Sequence, residues 1–113
     1  MGREDYIVTK NDWDIMPMPE KNTQFTIKRK FSIDDINRLK KGHLPEEMED
    51  RWFYYYEDDK VYIHRSWSGS CIYIVEINIK DDKRTVTVNR DENQYTNTDI
   101  DEDVETVYSL IGR

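Results

Sequence analysis

The sequence predicts an α+β domain, an antiparallel meander of four to five strands with one capped helix before it and one C-terminal helix after it. Three observations carry this expectation. Four runs rich in β-branched and aromatic residues (51–57, 60–66, 71–79 and 84–90) follow one another through connectors of hairpin length. Residues 32–42 precede them with helix start and stop signals at the right separation. Residues 99–112 follow them with apolar side chains on one helical face. The chain has 113 residues, room for one ordinary domain. With 36% hydrophobic residues and 12% aromatic ones it holds enough apolar surface to escape disorder.

Residues 1–24 read as a strap rather than part of the domain, which spans 25–113. Within the strap lie Trp13, Ile15 and the alternating Met16, Pro17, Met18 and Pro19. Two prolines at that spacing exclude a helix and favour extended chain. Residues 25–28 alternate apolar and polar as a short strand does. Ser32 caps the first helix with Asp35 three residues on, Phe31 and Ile36 are placed for a hydrophobic staple, and Gly42 stops it. Pro45 and four nearby acids (Glu46, Glu47, Glu49 and Asp50) make 43–50 a loop. The last helix starts at Thr98 or Asp99, carries Ile100, Val104, Val107, Tyr108 and Ile111 on one face, and ends at Gly112.

Tight turns at 58–59, 68–69 and 81–82 would pair Trp52 with Arg65, Tyr62 with Val75, and Val75 with Val88. One face then holds Phe53, Tyr55, Tyr62, His64, Cys71, Tyr73, Val75, Ile77, Val86 and Val88. The other holds Trp52, Tyr54, Tyr56, Val61, Ile63, Arg65, Ile72 and Ile74. This second face turns polar at Glu76, Asn78, Thr85 and Thr87. Around strands two to four, counted from residue 51, both faces are nonetheless apolar, and two helices cover only one well, so the strap, a ligand or a second subunit covers the other. On this ground the sequence predicts a homodimer that completes the pocket. A slip of one residue would exchange the lists.

The net charge of −7 is local. Asp91, Glu92, Asp99, Asp101, Glu102, Asp103 and Glu105 account for all of it, and the remaining 17 acids are matched by 17 Lys and Arg. Such a surface disfavours duplex DNA, which needs a basic footprint. The acids either enrich a helix start, where the macrodipole favours them, or dock on a basic protein. No apolar run is long enough for a membrane span, no apolar signal segment opens the chain, and a single cysteine suits a reducing compartment. The expected location is the cytoplasm, with no membrane partner. Lys28, Arg29, Lys30, Arg38, Lys40 and Lys41 read as edge protection and helix-end charge ahead of a phosphate contact.

The densest chemistry is the run His64, Arg65, Ser66, Trp67, Ser68, Gly69 and Ser70. Gly69 permits a tight turn with exposed N–H groups. The serines add donors, Arg65 brings a planar fork and Trp67 a stacking face. With Trp52 opposite Arg65, the group suits an anionic aromatic ligand, or else is a hairpin turn with a surface Arg–Trp stack. Cys71 beside His64 is read as a core cysteine, since an apolar strand does not activate a thiol. Only His43 and His64 are available as imidazole metal ligands, so no metal or other cofactor is expected. Glycine-rich phosphate loops are absent.

The stretch MEDRWFYYYEDDKVYIHRSWSG (48–69), with CIYIVE (71–76), VNRDENQY (88–95) and the closing helix, resembles a family of small bacterial and phage proteins of uncharacterised function. The resemblance covers most of 44–111 and carries Trp52, residues 64–69 and residues 89–91. Similar segments stand beside or fused to ADP-ribose-handling macro domains. The resemblance therefore implies a ligand of the ADP-ribose or cyclic-nucleotide class, and for a phage member a sponge that sequesters such a signal. It transfers no catalytic residue. The expected function is non-enzymatic binding of a nucleotide-like small molecule. Arg65 and Arg90 would meet phosphates, and Trp52 and Trp67 would stack on the base. His64, Ser66, Ser68 and the Gly69 backbone would complete the site. The alternative is a small immunity or anti-defence inhibitor that docks residues 91–105 on a basic surface.

Overall fold

A computed structural model describes residues 6–77 and 82–112. Five antiparallel strands form one sheet: β1 (Asn22–Lys28), β2 (Trp52–Glu57), β3 (Lys60–Arg65), β4 (Cys71–Glu76) and β5 (Lys83–Asn89). The spatial order is β1-β5-β4-β3-β2, so the predicted meander is extended by β1 on the free edge of β5. Helix α1 (Ile33–Lys41) lies between β1 and β2 in the chain, and α2 (Ile100–Ile111) closes it. The α+β class and the order of elements are those expected.

Local signals explain both helices. Ser32 accepts the Asp35 N–H while the Asp35 carboxylate accepts the Ser32 N–H, a complete capping box, and Gly42 ends α1. Asp99, rather than Thr98, caps α2, and Gly112 ends it. Leu39 of α1 and Val107 and Ile111 of α2 pack on Val61, Ile63, Tyr73, Val75, Val86 and Val88 to make the main core. Two arginines hold the end of α2, and a third is buried in the core. Arg29 Nε donates to the Gly112 carbonyl and Arg38 to the Ile111 carbonyl, while Arg84 lies buried over the Phe31 ring. The two helix-end bonds satisfy carbonyls that the α2 terminus leaves open.

The register departs from expectation at β3–β4. Trp52 faces Arg65 as expected, across an Asp58–Asp59 turn with both residues at positive φ. Tyr62, however, pairs with Ile74 instead of Val75, and a bulge between Ile63 and His64 brings His64 opposite Cys71. The cause is the connector. It is not a two-residue turn: Arg65 N–H bonds Ser70 O and Gly69 N–H bonds Arg65 O, enclosing four residues. The one-residue change moves Tyr73, Val75, Val86 and Val88 to the helix-covered face. Val75 pairs with Val86 rather than Val88, a shift of two that keeps the face. The predicted turn at 81–82 and the end of the run to residue 79 fall partly at 78–81, outside the described residues.

The sheet therefore has one largely apolar face, interrupted by Arg65 and Arg84, and one mixed face. The mixed face is polar at Thr85, Thr87 and Gln24, where Gln24 Nε2 bonds Thr87 Oγ1 at 3.1 Å. Its aromatic half, Phe53, Tyr55 and Tyr62, is packed by Val8, Trp13, Ile15 and Leu44. The strap is thus the cover for the second face, and the apolar surface that suggested a homodimer lies within the chain's own fold. Trp13 stacks on Phe53 (5.9 Å, 18°), its Nε1–H donates to Ser66 O at 2.8 Å, and Met16 N–H donates to Gly69 O at 2.9 Å. No helix among the described residues is long and apolar enough to cross a membrane.

Candidate functional site

The loop before β2 and the β3–β4 connector meet at one end of the sheet. Between them lies a cleft of about 610 Å³ lined by Met48, Glu49, Arg51, Arg65, Ser66, Trp67 and Ser68. Its walls are fixed by backbone contacts. Ser66 N–H bonds Arg51 O at 2.8 Å and Ser66 Oγ donates to Asp50 O at 2.7 Å. Trp67 Nε1–H donates to Met48 O at 2.9 Å, which holds the indole in place although the residue is 78% exposed. Arg65 lies over the Trp52 ring with its guanidinium carbon 5.1 Å from the centroid, and Trp52 in turn contacts the Tyr73 ring at 6.1 Å. This stack contributes about 0.5–1 kcal/mol and orients the guanidinium. Among the described residues, no carboxylate lies within salt-bridge distance of Arg51 or Arg65. Glu49 is the one acid on the lining.

Of the expected residues, Arg65, Ser66, Trp67 and Ser68 line this cleft and Trp52 supports it from beneath. His64 is elsewhere. Neighbours in a strand point to opposite faces, so His64 lies against Phe53 and Tyr55 under the strap while Arg65 faces the cleft side. Its Nδ1–H donates to Gly69 O at 2.9 Å, and burial pushes its pKa below the usual histidine value.

Gly69 does not offer its N–H, which is bonded to Arg65 O. Instead it supplies shape: at φ 75°, a Cβ would overlap the Asp14 carbonyl oxygen of the strap. Ser68 Oγ accepts the Ser70 N–H at 3.2 Å.

Arg90 is also committed. Its guanidinium donates to Asn97 O and, at 2.5 Å, to Asp103 Oδ2. Asp103 is wholly buried, and its other oxygen accepts from Tyr73 Oη (2.8 Å), Tyr95 Oη (3.0 Å) and Asn97 Nδ2 (3.0 Å). Burial, together with bonds to Tyr95 and Asp103, drives the Tyr73 hydroxyl pKa far upward. Asn89, carried by the resemblance, is buried and donates to Cys71 O and Gln94 Oε1, while its Oδ1 accepts the Asp91 N–H. Residues 89–103 thus form a structural knot rather than a ligand cradle. Of the seven acids at 91–105, Asp103 is inside the protein and Glu92 pairs with Lys21 at 3.5 Å, which thins the supposed docking surface.

Arg51, Met48 and Glu49 are cleft residues that the sequence reading did not select. Arg51 immediately precedes β2, whose first residue, Trp52, faces Arg65, and that adjacency was its only signal. The buried Cys71 thiol is pushed up to about 12 by desolvation, the opposite of an activated nucleophile. His43 pairs with Asp50 at 2.7 Å and stacks on Tyr54 (5.8 Å), positioning the loop that carries Met48 and Glu49. Among the described residues no group of three His, Cys, Asp or Glu side chains is placed to hold a metal. No family model, curated protein or solved structure matches the chain.

Proposed function

We propose that the protein binds an anionic, nucleotide-like small molecule in the cleft between the loop before β2 and the β3–β4 connector, and that it holds the ligand without transforming it. The observation that supports this best is the pairing of two guanidinium groups lacking carboxylate partners among the described residues with an exposed, anchored indole around one cleft of about 610 Å³. Arg51 and Arg65 meet the phosphates as planar forks. Trp67 stacks on the base. Glu49 accepts from ribose hydroxyls or an exocyclic amine. The volume lies inside the range of small-molecule sites, about 300–1,000 Å³.

The serine hydroxyls of the lining are engaged by backbone, Ser66 Oγ with Asp50 O and Ser68 Oγ with the Ser70 N–H, which favours sequestration over turnover. An ADP-ribose-derived or cyclic-nucleotide signal is the ligand class the resemblance implies, with a phage counter-defence sponge as the biological setting.

The test is a thermal-shift panel of ATP, NAD, ADP-ribose, cyclic ADP-ribose isomers and cyclic dinucleotides, followed by calorimetry and recovery of the ligand. At one hundred times its dissociation constant a ligand adds about 2.7 kcal/mol. The expected result is a hit that Arg65→Ala or Trp67→Ala removes, with the ligand recovered intact. Conversion of the ligand would refute the non-enzymatic reading. A panel without shifts would refute the ligand class.

A further inference from the structure

A second cleft, of about 320 Å³, lies on the other face of the sheet beneath the strap. Its roof is residues 15–18, and its floor carries Tyr55, Tyr62, His64 and Cys71. The floor carries a stack of aromatic rings. Tyr62 stacks on Tyr55 at 4.9 Å and 8°, and Tyr55 on His64 at 5.8 Å and 19°. At the end of this stack the His64 side chain is 2% exposed, and its Nε2 has no hydrogen-bond partner among the described residues. Because Nδ1 carries the hydrogen that is donated to Gly69 O, Nε2 of the neutral ring presents a lone pair. A buried acceptor left unmatched is costly, of the order of the desolvation of the group itself.

We propose that this cleft is a separate binding site for a small, flat, uncharged aromatic molecule that donates one O–H or N–H to His64 Nε2. The ring of the ligand packs against Tyr55 and Tyr62, and the thioethers of Met16 and Met18 close over it. Methionine suits that part because its unbranched, polarizable side chain adapts to irregular contacts and favours aromatic edges. The depressed His64 pKa keeps the ring a neutral acceptor at pH 7. The ligand enters by lifting the roof. Pro17 and Pro19 have no N–H to tie it down, and the Met16 N–H bond to Gly69 O anchors its near end. This site shares no lining residue with the cleft at Arg51 and Arg65.

The experiment uses the full chain, phenol as the donor-bearing probe and toluene as its counterpart without a donor. Binding is followed by calorimetry and by the imidazole nitrogen resonances of His64. Phenol is expected to bind saturably, at least about tenfold more tightly than toluene, and to move the Nε2 resonance while Nδ1 stays bonded. His64→Phe should erase the preference. Ile74→Trp, at the half-buried floor, should fill the cleft and abolish binding with His64 intact. Arg65→Ala should leave phenol binding unchanged, which separates this site from the nucleotide reading. Equal binding of the two probes, a stationary Nε2 resonance, or no saturable binding at millimolar phenol would each overturn the proposal.

Discussion

Replacing Asp103 should unfold much of what the other acids of its helix leave untouched. Asp103 sits in the first turn of α2, where exposed acids at Asp101 and Glu102 gain only the macrodipole term of about 0.3–1 kcal/mol each. Asp103 itself is 0% exposed and accepts four hydrogen bonds, one of them from the partly buried Arg90 guanidinium. Removing one partner of a buried pair leaves the other charge uncompensated and costs about 3–5 kcal/mol. For a domain whose whole stability is about 5–15 kcal/mol, that is a large fraction. With a urea m-value of about 2 kcal/mol/M, Asp103→Ala should lower the midpoint by about 2 M.

Urea titrations followed by circular dichroism test this beside the double variant Asp101→Asn, Glu102→Gln, which should lose about 0.6–2 kcal/mol. Adding Arg90→Met to Asp103→Ala should recover part of the loss, since the stranded charge goes with it. A loss for Asp103→Ala no greater than that of the exposed pair would refute the buried network. It would also restore the acidic segment as a docking surface.

Other outcomes follow from the same contacts. Gly69→Ala should cost about 3–4 kcal/mol. A left-handed alanine accounts for about 1–2 of this, and strap hydrogen bonds at Met16 and Trp13, about 1 kcal/mol each, account for the rest; a red shift of Trp13 emission checks the displacement. His64 has a folded pKa below its ordinary 6.5, so the unfolded chain binds more protons below that pH. Stability should therefore fall on acidification below about pH 6.5, by up to about 1.4 kcal/mol per pH unit, and chemical denaturation of His64→Phe should show a flatter profile. Cys71, with its thiol pushed up to about 12, should resist iodoacetamide in the native state and react in urea. Arg51→Ala should weaken nucleotide binding about as much as Arg65→Ala while changing stability by less than about 1 kcal/mol, as calorimetry and urea titration together will show.

Local signals were legible in the sequence and long-range ones were not. Ser32 with Asp35, Asp99 with Gly112, and the Asp58–Asp59 turn each act within a few residues, and each lies where it was expected. The β3–β4 register was not readable, because it depends on Arg65 bonding both Ser70 and Gly69 and on a bulge that no residue type announces. The strap was recognisable as extended from Pro17 and Pro19, but its seat on Gly69 O and Ser66 O depends on tertiary contacts. At the site, alternation along β3 already separated His64 from Arg65. Grouping them by sequence proximity joined two faces of the sheet. Arg90 has the right chemistry for phosphate, and only its contact with Asp103, 13 positions on, removes it.

The three tryptophans give the most direct view of the central claim. In a ¹H–¹⁵N spectrum their indole N–H signals report the nucleotide cleft (Trp67), its support (Trp52) and the strap (Trp13). Titration with ADP-ribose and the cyclic nucleotides should shift the Trp67 signal saturably and most, carry Trp52 with it through Arg65, and move Trp13, whose N–H rests on Ser66 O, least. Movement of Trp13 alone, or no movement of Trp67 with any of these ligands, would contradict the account.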